Sequence, residues 1–258
     1  MEISKSRVKL YASLQHKKHR NSAGLFVAEG TKCVEETLGH FDLEALVALP
    51  SWIDARRELT DSLPSDKVFE ATPLRMEQLS GMSTAPQAVA VYRKPASVAP
   101  SDSDISDGLI LVLDGVQDPG NLGTIMRIAD WFGIRHIVAS PETADIYNPK
   151  TVQATMGAIA RVNVFYTPLV PFLKCHPAIP CFGTLLDGDD IYKAEIPLSG
   201  FLIMGNEGNG ISPEVRALVT HRLRIPSYPP DGDTVESLNV AMATAIAVAE
   251  FRRRLINR

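Results

Sequence analysis

The chain has 258 residues, room for one large domain or two modest ones, and its 45% hydrophobic and 22% charged residues describe an ordinary soluble protein. Three cysteines, Cys33, Cys175 and Cys181, an odd number without a CxxC pair, signal neither a disulfide framework nor a thiol-rich zinc site, and unpaired thiols are expected. A net charge of −4 would count against a nucleic-acid partner, but charge acts through its distribution. Residues 1–20 carry Lys5, Arg7, Lys9, Lys17, Lys18 and Arg20 against Glu2 alone, and Arg252, Arg253, Arg254 and Arg258 crowd the other end. No apolar run approaches the roughly 20 residues that span a bilayer, and the basic start lacks the apolar stretch of a signal peptide. A cytoplasmic protein is expected.

In chain order, apolar runs at 25–28, 43–49, 67–69 and 88–92 alternate with helix-like stretches around 31–39, 51–59 and 73–79, the pattern of a small α/β domain. Residues 94–108, KPASVAPSDSDISDG, replace apolar periodicity with Ser, Asp and Pro. Such a composition has little to bury and reads as a linker, which divides the chain into 1–94, a linker at 95–108 and 109–258. Beyond it, strands are expected at 109–113, 135–139, 162–166, 181–185, 201–204 and 222–226 with helices between them. That alternation implies a mostly parallel sheet covered on both faces. Asn148-Pro149 and Ser212-Pro213 each pair an N-cap with a proline at the first helical position. Ile125, Ile128, Ala129 and Phe132 recur at helical spacing, which turns Arg127 away from the buried stripe. An Ala-rich helix is expected over 237–255, with Ser237 a candidate for its N-cap.

Ligands of open parallel sheets bind beyond the carboxyl ends of the strands, and three segments place glycines and polar residues at such ends. They are LILVLDGVQDPGNLGTIMRIAD at 109–130, FLIMGNEGNGIS at 201–212 and RIPSYPPDGDTVESLNVAMATA at 224–245. GNEGNG fits neither GxGxxG nor GxxxxGK[ST], and Glu207 would repel a polyphosphate while tolerating a cationic ligand. His16-Lys17-Lys18-His19 lacks the carboxylate or thiolate that would complete a metal site, so no metal is expected there. GMSTA at 81–85 misses the second glycine and the preceding strand of a GxSxG nucleophile elbow.

Asp118, Pro119, Asn121, Gly123 and Arg127, then Gly205, Glu207, Gly210 and Ser212, then Ile225, Pro226, Ser237, Leu238 and Asn239 follow one another in an order that resembles the three motifs of the SpoU/TrmH family of RNA ribose methyltransferases, in the SPOUT superfamily. The resemblance implies a C-terminal α/β domain whose mostly parallel sheet is closed by a deep trefoil knot, a rare exception to the rule against knots. It implies S-adenosylmethionine as cofactor, and a homodimer in which both subunits contribute to each site. Thr184, Gly205, Ile225 and Leu238 match cofactor-lining positions; Asn121, Arg127, Glu207, Ser237 and Asn239 match positions of catalysis or its support. LFVAEGTKCVEETL and STAPQAVAVY make the first 95 residues resemble the α/β substrate-binding domain often attached to these enzymes. Arg7, Lys9, Lys17, Lys18 and Arg20 are then its candidates for RNA backbone contact. The chain departs from the family in a longer loop between Pro226 and Glu236, in Ser227 after Ile-Pro, and in Ala241 where serine is frequent.

Methyl transfer to a ribose 2′-OH needs loss of the hydroxyl proton and in-line alignment. The family assigns hydroxyl activation to the position of Arg127. A guanidinium holds its proton too tightly to be a good proton acceptor, so binding of the adjacent phosphate and the developing oxyanion is the favoured role, with the proton leaving to that phosphate or to a partner-subunit group. The appended domain favours ribosomal RNA over tRNA. A tRNA ribose methyltransferase and a non-catalytic RNA-binding or ribosome-assembly factor are the alternatives.

Overall fold

Apolar runs and caps become the elements of a computed structural model that describes residues 1–229, 235 and 237–256. The chain forms two units, one of Met1–Ala96 with Asp145–Ala160, the other of Ser97–Ala144 with the described residues from Arg161 onward. In chain order the first unit opens with α1 (Lys5–Ser13), α2 (Lys17–Ala23), β1 (Leu25–Glu29), α3 (Thr31–Thr37) and β2 (Leu43–Ala48). It continues through α4 (Pro50–Asp54), α5 (Arg57–Asp61), β3 (Val68–Glu70), α6 (Pro73–Leu79) and β4 (Ala88–Arg93). There follow α7 (Asp102–Asp107), β5 (Leu109–Leu113), α8 (Pro119–Trp131), β6 (His136–Ala139), α9 (Pro149–Thr155) and β7 (Asn163–Tyr166). The chain closes with α10 (Leu169–Lys174), β8 (Cys181–Asp190), β9 (Gly200–Met204), α11 (Pro213–Arg216), β10 (His221–Arg224) and α12 (Val240–Ile256).

The first unit has a four-stranded sheet in the order β1-β4-β2-β3, with β4 antiparallel to both neighbours. Val27, Val47, Val89 and Val91 on its strands pack with Tyr11 and Leu14 of the first helical segment and with Met76 and Leu79 of α6. Ser4 caps α1 by accepting from the N–H of Arg7, and Gly24 ends α2 at φ +64°, where a side chain would be strained.

The second unit has a wholly parallel six-stranded sheet, β10-β8-β9-β5-β6-β7. Its central strands β5 and β9 are buried at every position, as strands covered on both faces must be. From β5 the chain first adds β6 and β7 on one side and later fills the other side with β9, β8 and β10. The strand order therefore switches direction at β5/β9, the place where such sheets bind ligands.

Three readings from the sequence change. The stretch read as a linker contains α7, closed by a capping box in which Asp104 and Ser101 exchange hydrogen bonds, and Ile105 is buried. A few acidic residues suffice for a short helix when one apolar side chain has a core to enter. Residues 145–160, read with the C-terminal domain, cluster with the first unit, where Val152 is buried and its carbonyl meets the Cys33 thiol. The buried stripe of α8 is Leu122, Ile125, Met126 and Ala129, one residue N-terminal of the expected register in part, with Ile128 and Phe132 half-buried. Arg127 remains on the exposed face in either register.

Candidate active site

The site grows from the ends of β5, β9 and β10. Beyond β5, Asp114 accepts from the N–H of Ser212 at 2.7 Å, and Gly115, at φ +73°, donates to the Ser140 hydroxyl at 3.0 Å. Beyond β9, the GNEGNG turn is closed by two backbone hydrogen bonds of 2.9 Å between Asn206 and Gly210. Position 205 must be glycine, because a Cβ there would stand 2.3 Å from the Gly210 carbonyl carbon. Asn206 organises the turn: its Oδ1 accepts from the N–H groups of Gly208 and Asn209, and its Nδ2 donates to the Gly115 carbonyl at 2.7 Å.

Glu207 is thereby aimed at the start of α8. Its carboxylate accepts from Asn121 Nδ2 at 3.0 Å and from the N–H groups of Asp118 and Gln117 at 3.3 Å. Asp118 caps α8 by accepting from the Asn121 N–H at 2.8 Å, with Pro119 at the first helical position. Asn121 Oδ1 in turn accepts from Asn239 Nδ2 at 2.9 Å. Asn239 Oδ1 receives the N–H groups of Ala241 and Met242, so Asn239 is the residue that caps α12. That corrects the expectation for Ser237: the helix starts three residues later than the Ala-rich composition suggests, and the side-chain oxygen at its start belongs to Asn239. One hydrogen-bonded row, Asn239 to Asn121 to Glu207, thus joins all three motifs. Partial burial would raise the Glu207 pKa, but hydrogen bonds from Asn121 and the backbone outweigh it and hold the carboxyl below its ordinary value.

Beside this row lies a cavity of about 650 Å³ lined by Thr184, Gly205, Glu207, Ile225, Ser237 and Leu238 among others. All four expected cofactor-lining residues meet there, and the volume falls within the roughly 300–1,000 Å³ of small-molecule sites. A cavity of similar volume, about 660 Å³, runs along Asp189, Lys193, His221 and Arg222 and holds none of the motif residues. The first is therefore the candidate site. Arg127 stands apart: it is exposed, makes no side-chain hydrogen bond or ion pair among the described residues, and lies six residues, about 9 Å, along α8 from Asn121. The family departure in the loop after Pro226 falls largely on residues 230–234 and 236, outside the described residues.

Of the expected RNA contacts, Lys9, Lys17 and Lys18 are exposed, and Arg7 is half-buried with its guanidinium 4.4 Å from the Phe69 ring centre. Arg20 is a correction. It is 2% exposed, donates to the carbonyls of Leu14 and Gln15 at 2.9 Å each, and pairs with Asp145 at 2.8 Å. A guanidinium with those partners holds the fold and faces no phosphate. The C-terminal arginines are likewise occupied. Arg252 donates to the Phe132 carbonyl, Arg254 to those of Ile191 and Ala194, and Arg253 and Arg254 both pair with buried Glu250. Those hydrogen bonds, Arg253's first, hold the Glu250 carboxyl down at about 2. Arg258 lies outside the described residues. The supporting residues Asp114, Ser140 and Asn206 escaped the sequence reading; only Asn206 carried a signal, as an Asx residue leading a glycine-rich turn.

Fold and site together define an α/β enzyme with a ligand cavity over the carboxyl ends of a parallel sheet and an amide–carboxylate row at its rim. The chain belongs to the SpoU rRNA methylase family, whose model matches residues 108–249; a model of an MRM3-like substrate-binding domain matches residues 5–90. It is 32% identical to the 23S rRNA (guanosine(2553)-2′-O)-methyltransferase of Bacillus subtilis over 95% of this chain and 96% of that protein. Among solved structures, a protein of Porphyromonas gingivalis assigned to the TrmH family of RNA methyltransferases superposes with a TM-score of 0.86 at 41% identity, covering 98% of this chain and 100% of that one. The AdoMet-bound rRNA methyltransferase of Sinorhizobium meliloti follows with a TM-score of 0.83 at 28% identity over 99% and 98%.

Proposed function

We propose that this protein transfers a methyl group from S-adenosylmethionine to a ribose 2′-OH of structured RNA, with ribosomal RNA as substrate. The observation that carries the reading is the Asn239–Asn121–Glu207 row at the rim of the cavity that Thr184, Gly205, Ile225 and Leu238 line. The cavity fits the cofactor: Leu238 and Ile225 offer apolar surface, the Thr184 hydroxyl is tied to the Ile203 carbonyl, and Glu207 supplies the negative charge that suits a sulfonium. Family membership and the substrate-binding model over the first unit support the RNA, and the B. subtilis relative supports ribosomal RNA.

When bound, the cofactor supplies an electrophilic methyl group on sulfur. Arg127 binds the phosphate beside the acceptor ribose and stabilises the charge that develops on O2′. The hydroxyl proton leaves to that phosphate or to a group of a partner subunit. Asn121 and Asn239 hold Glu207 and the start of α8 in place. A non-catalytic RNA binder would have no use for this row.

A homodimer, a knotted second unit and a cytoplasmic setting belong to the same proposal. The dimer draws support from Arg127, which stands clear of its own chain's cavity, and from Trp131 and Met242, large apolar side chains 85% and 59% exposed on α8 and α12. No helix among the described residues is long and apolar enough to cross a membrane. Calorimetry with S-adenosylhomocysteine is the direct test: binding near one equivalent per chain is expected, and folded protein that gives no heat would end the cofactor claim. A map of ribose methylation with and without the gene then names the nucleotide.

A further inference from the structure

The first unit buries a carboxylate that methyl transfer does not use. Glu29, the last residue of β1, is 6% exposed and has no cation partner among the described residues. Glu29 Oε1 accepts from the Gly81 N–H at 3.1 Å and from Gln15 Nε2 at 3.4 Å, and the Ser80 hydroxyl is close enough to favour the ionised carboxylate. A buried carboxylate held only by neutral donors is costly unless each bond is made. These donors come from two segments far apart in sequence, the turn between α1 and α2 and the loop between α6 and β4.

The two segments touch. A Cβ on Gly81 would stand 2.5 Å from the Gln15 side-chain oxygen, so only glycine allows this approach without moving Gln15. Ser80 also accepts from the Met82 N–H at 3.0 Å, which folds the loop back on itself. From the other side, buried Arg20 grips the carbonyls of Leu14 and Gln15. The turn is thus fixed by two buried charged groups, while His16 on it, Lys17 and Lys18 at the start of α2, and Gly81, Ser83 and Thr84 on the loop are exposed. Exposed ammonium groups on one of two touching segments, and exposed hydroxyls and backbone on the other, are the chemistry that holds a sugar–phosphate chain. GMSTA, which fails as a nucleophile elbow, sits in this loop between a helix and a strand.

We propose that residues 15–18 and 81–84 form one contact surface for the RNA backbone, keyed together by Glu29, which positions the surface without touching RNA. This rests on the reading of the protein as an RNA-modifying enzyme. The experiment uses the full chain, protein-free 23S ribosomal RNA made by transcription, and S-adenosylhomocysteine. RNA dissociation constants are measured across a salt series. Lys17→Gln with Lys18→Gln should reduce the salt slope by about 1–2, one phosphate contact per lysine. Ser83→Ala with Thr84→Ala should weaken RNA binding several-fold. Glu29→Gln should weaken it by up to about tenfold with S-adenosylhomocysteine affinity unchanged, because it disturbs the frame and not the cofactor cavity. Folded Glu29→Gln that binds RNA like the wild type overturns the proposal, as does a drop in melting temperature alone. Should Glu29→Gln fail to fold, Gln15→Ala and Ser80→Ala break the same link singly, and unchanged RNA affinity in both overturns it. If the wild type binds no S-adenosylhomocysteine, the methyltransferase reading has failed; if it binds and only the lysine variant loses RNA, the keyed surface has failed and the enzyme stands.

Discussion

In the second unit Asn239, Asn121 and Glu207 meet at the surface and hand hydrogen bonds along a row, whereas in the first unit Arg20 and Glu29 are buried and the lysines beside them face outward. The exposed row depends on geometry between segments about 90 and 120 residues apart, and little stability hangs on it. Buried Arg20, paired with Asp145, carries stability, and the effect of the two buried groups on function runs through the turn they hold. Polar residues of the same kind thus do different things according to burial, and substitutions in the two units should separate along that line.

The largest effect is expected from Arg20→Ala. It strands the Asp145 carboxylate, whose side chain is 15% exposed, and leaves two carbonyls unpaired. Removing one member of a buried ion pair costs about 3–5 kcal/mol. Chemical denaturation should show that loss, while protein that remains folded keeps its affinity for S-adenosylhomocysteine. A variant of wild-type stability that binds RNA poorly would make Arg20 a phosphate contact and break the comparison.

Arg127→Ala should invert the pattern. The side chain is exposed and unpartnered among the described residues, so the change in stability should stay within about 0.5 kcal/mol. Methyl transfer should fall about 10²- to 10³-fold, the usual cost of losing one donor to a developing oxyanion, with cofactor affinity unchanged. Arg127→Lys should fail as well, because a point charge does not reproduce the planar fork. Lost solubility or lost cofactor binding would give Arg127 a structural role.

The same contrast explains what was legible in the chain. Strands β5 and β9 announce themselves because a strand covered on both faces must be apolar throughout, and the motifs sit at their ends because the turn chemistry there requires Gly, Asn and Pro. Arg20 misleads because a run of basic residues looks alike whether its members face water or carbonyls; the partner that settles the matter, Asp145, is 125 residues away. The placing of residues 145–160 with the first unit is hidden for a related reason: Thr151, Val152 and Thr155 show that a face is buried, and nothing local says against what. The cap of α12 was legible in principle, since asparagine ranks with serine as an N-cap, but two candidates two residues apart are separated only by where the helix begins.

The smallest effect is expected from Asn121→Ala, and it tests the row most finely. Asn121 Nδ2 is the foremost of the hydrogen bonds that hold the Glu207 carboxyl below its ordinary value, against a burial that pushes it up. Because the folded-state pKa is depressed, the stability that Glu207 contributes is present above its unfolded value near 4.5 and is lost as pH falls through the folded value beneath it. Removing the amide leaves burial less opposed, so the folded pKa rises and this acid loss begins at higher pH. Carbon-detected titration of the Glu207 carboxyl reads the shift directly. Stability at neutral pH should hardly change, because the carboxylate is exposed and still receives the N–H groups of Gln117 and Asp118. Asn239 should go on capping α12 through Oδ1 and lose only the acceptor for its Nδ2. An unmoved titration would mean that the backbone N–H groups alone set the charge of Glu207. A large loss of stability at pH 7 would mean that the row holds the unit together, as Arg20 does in the first unit, and the contrast between the two would fall.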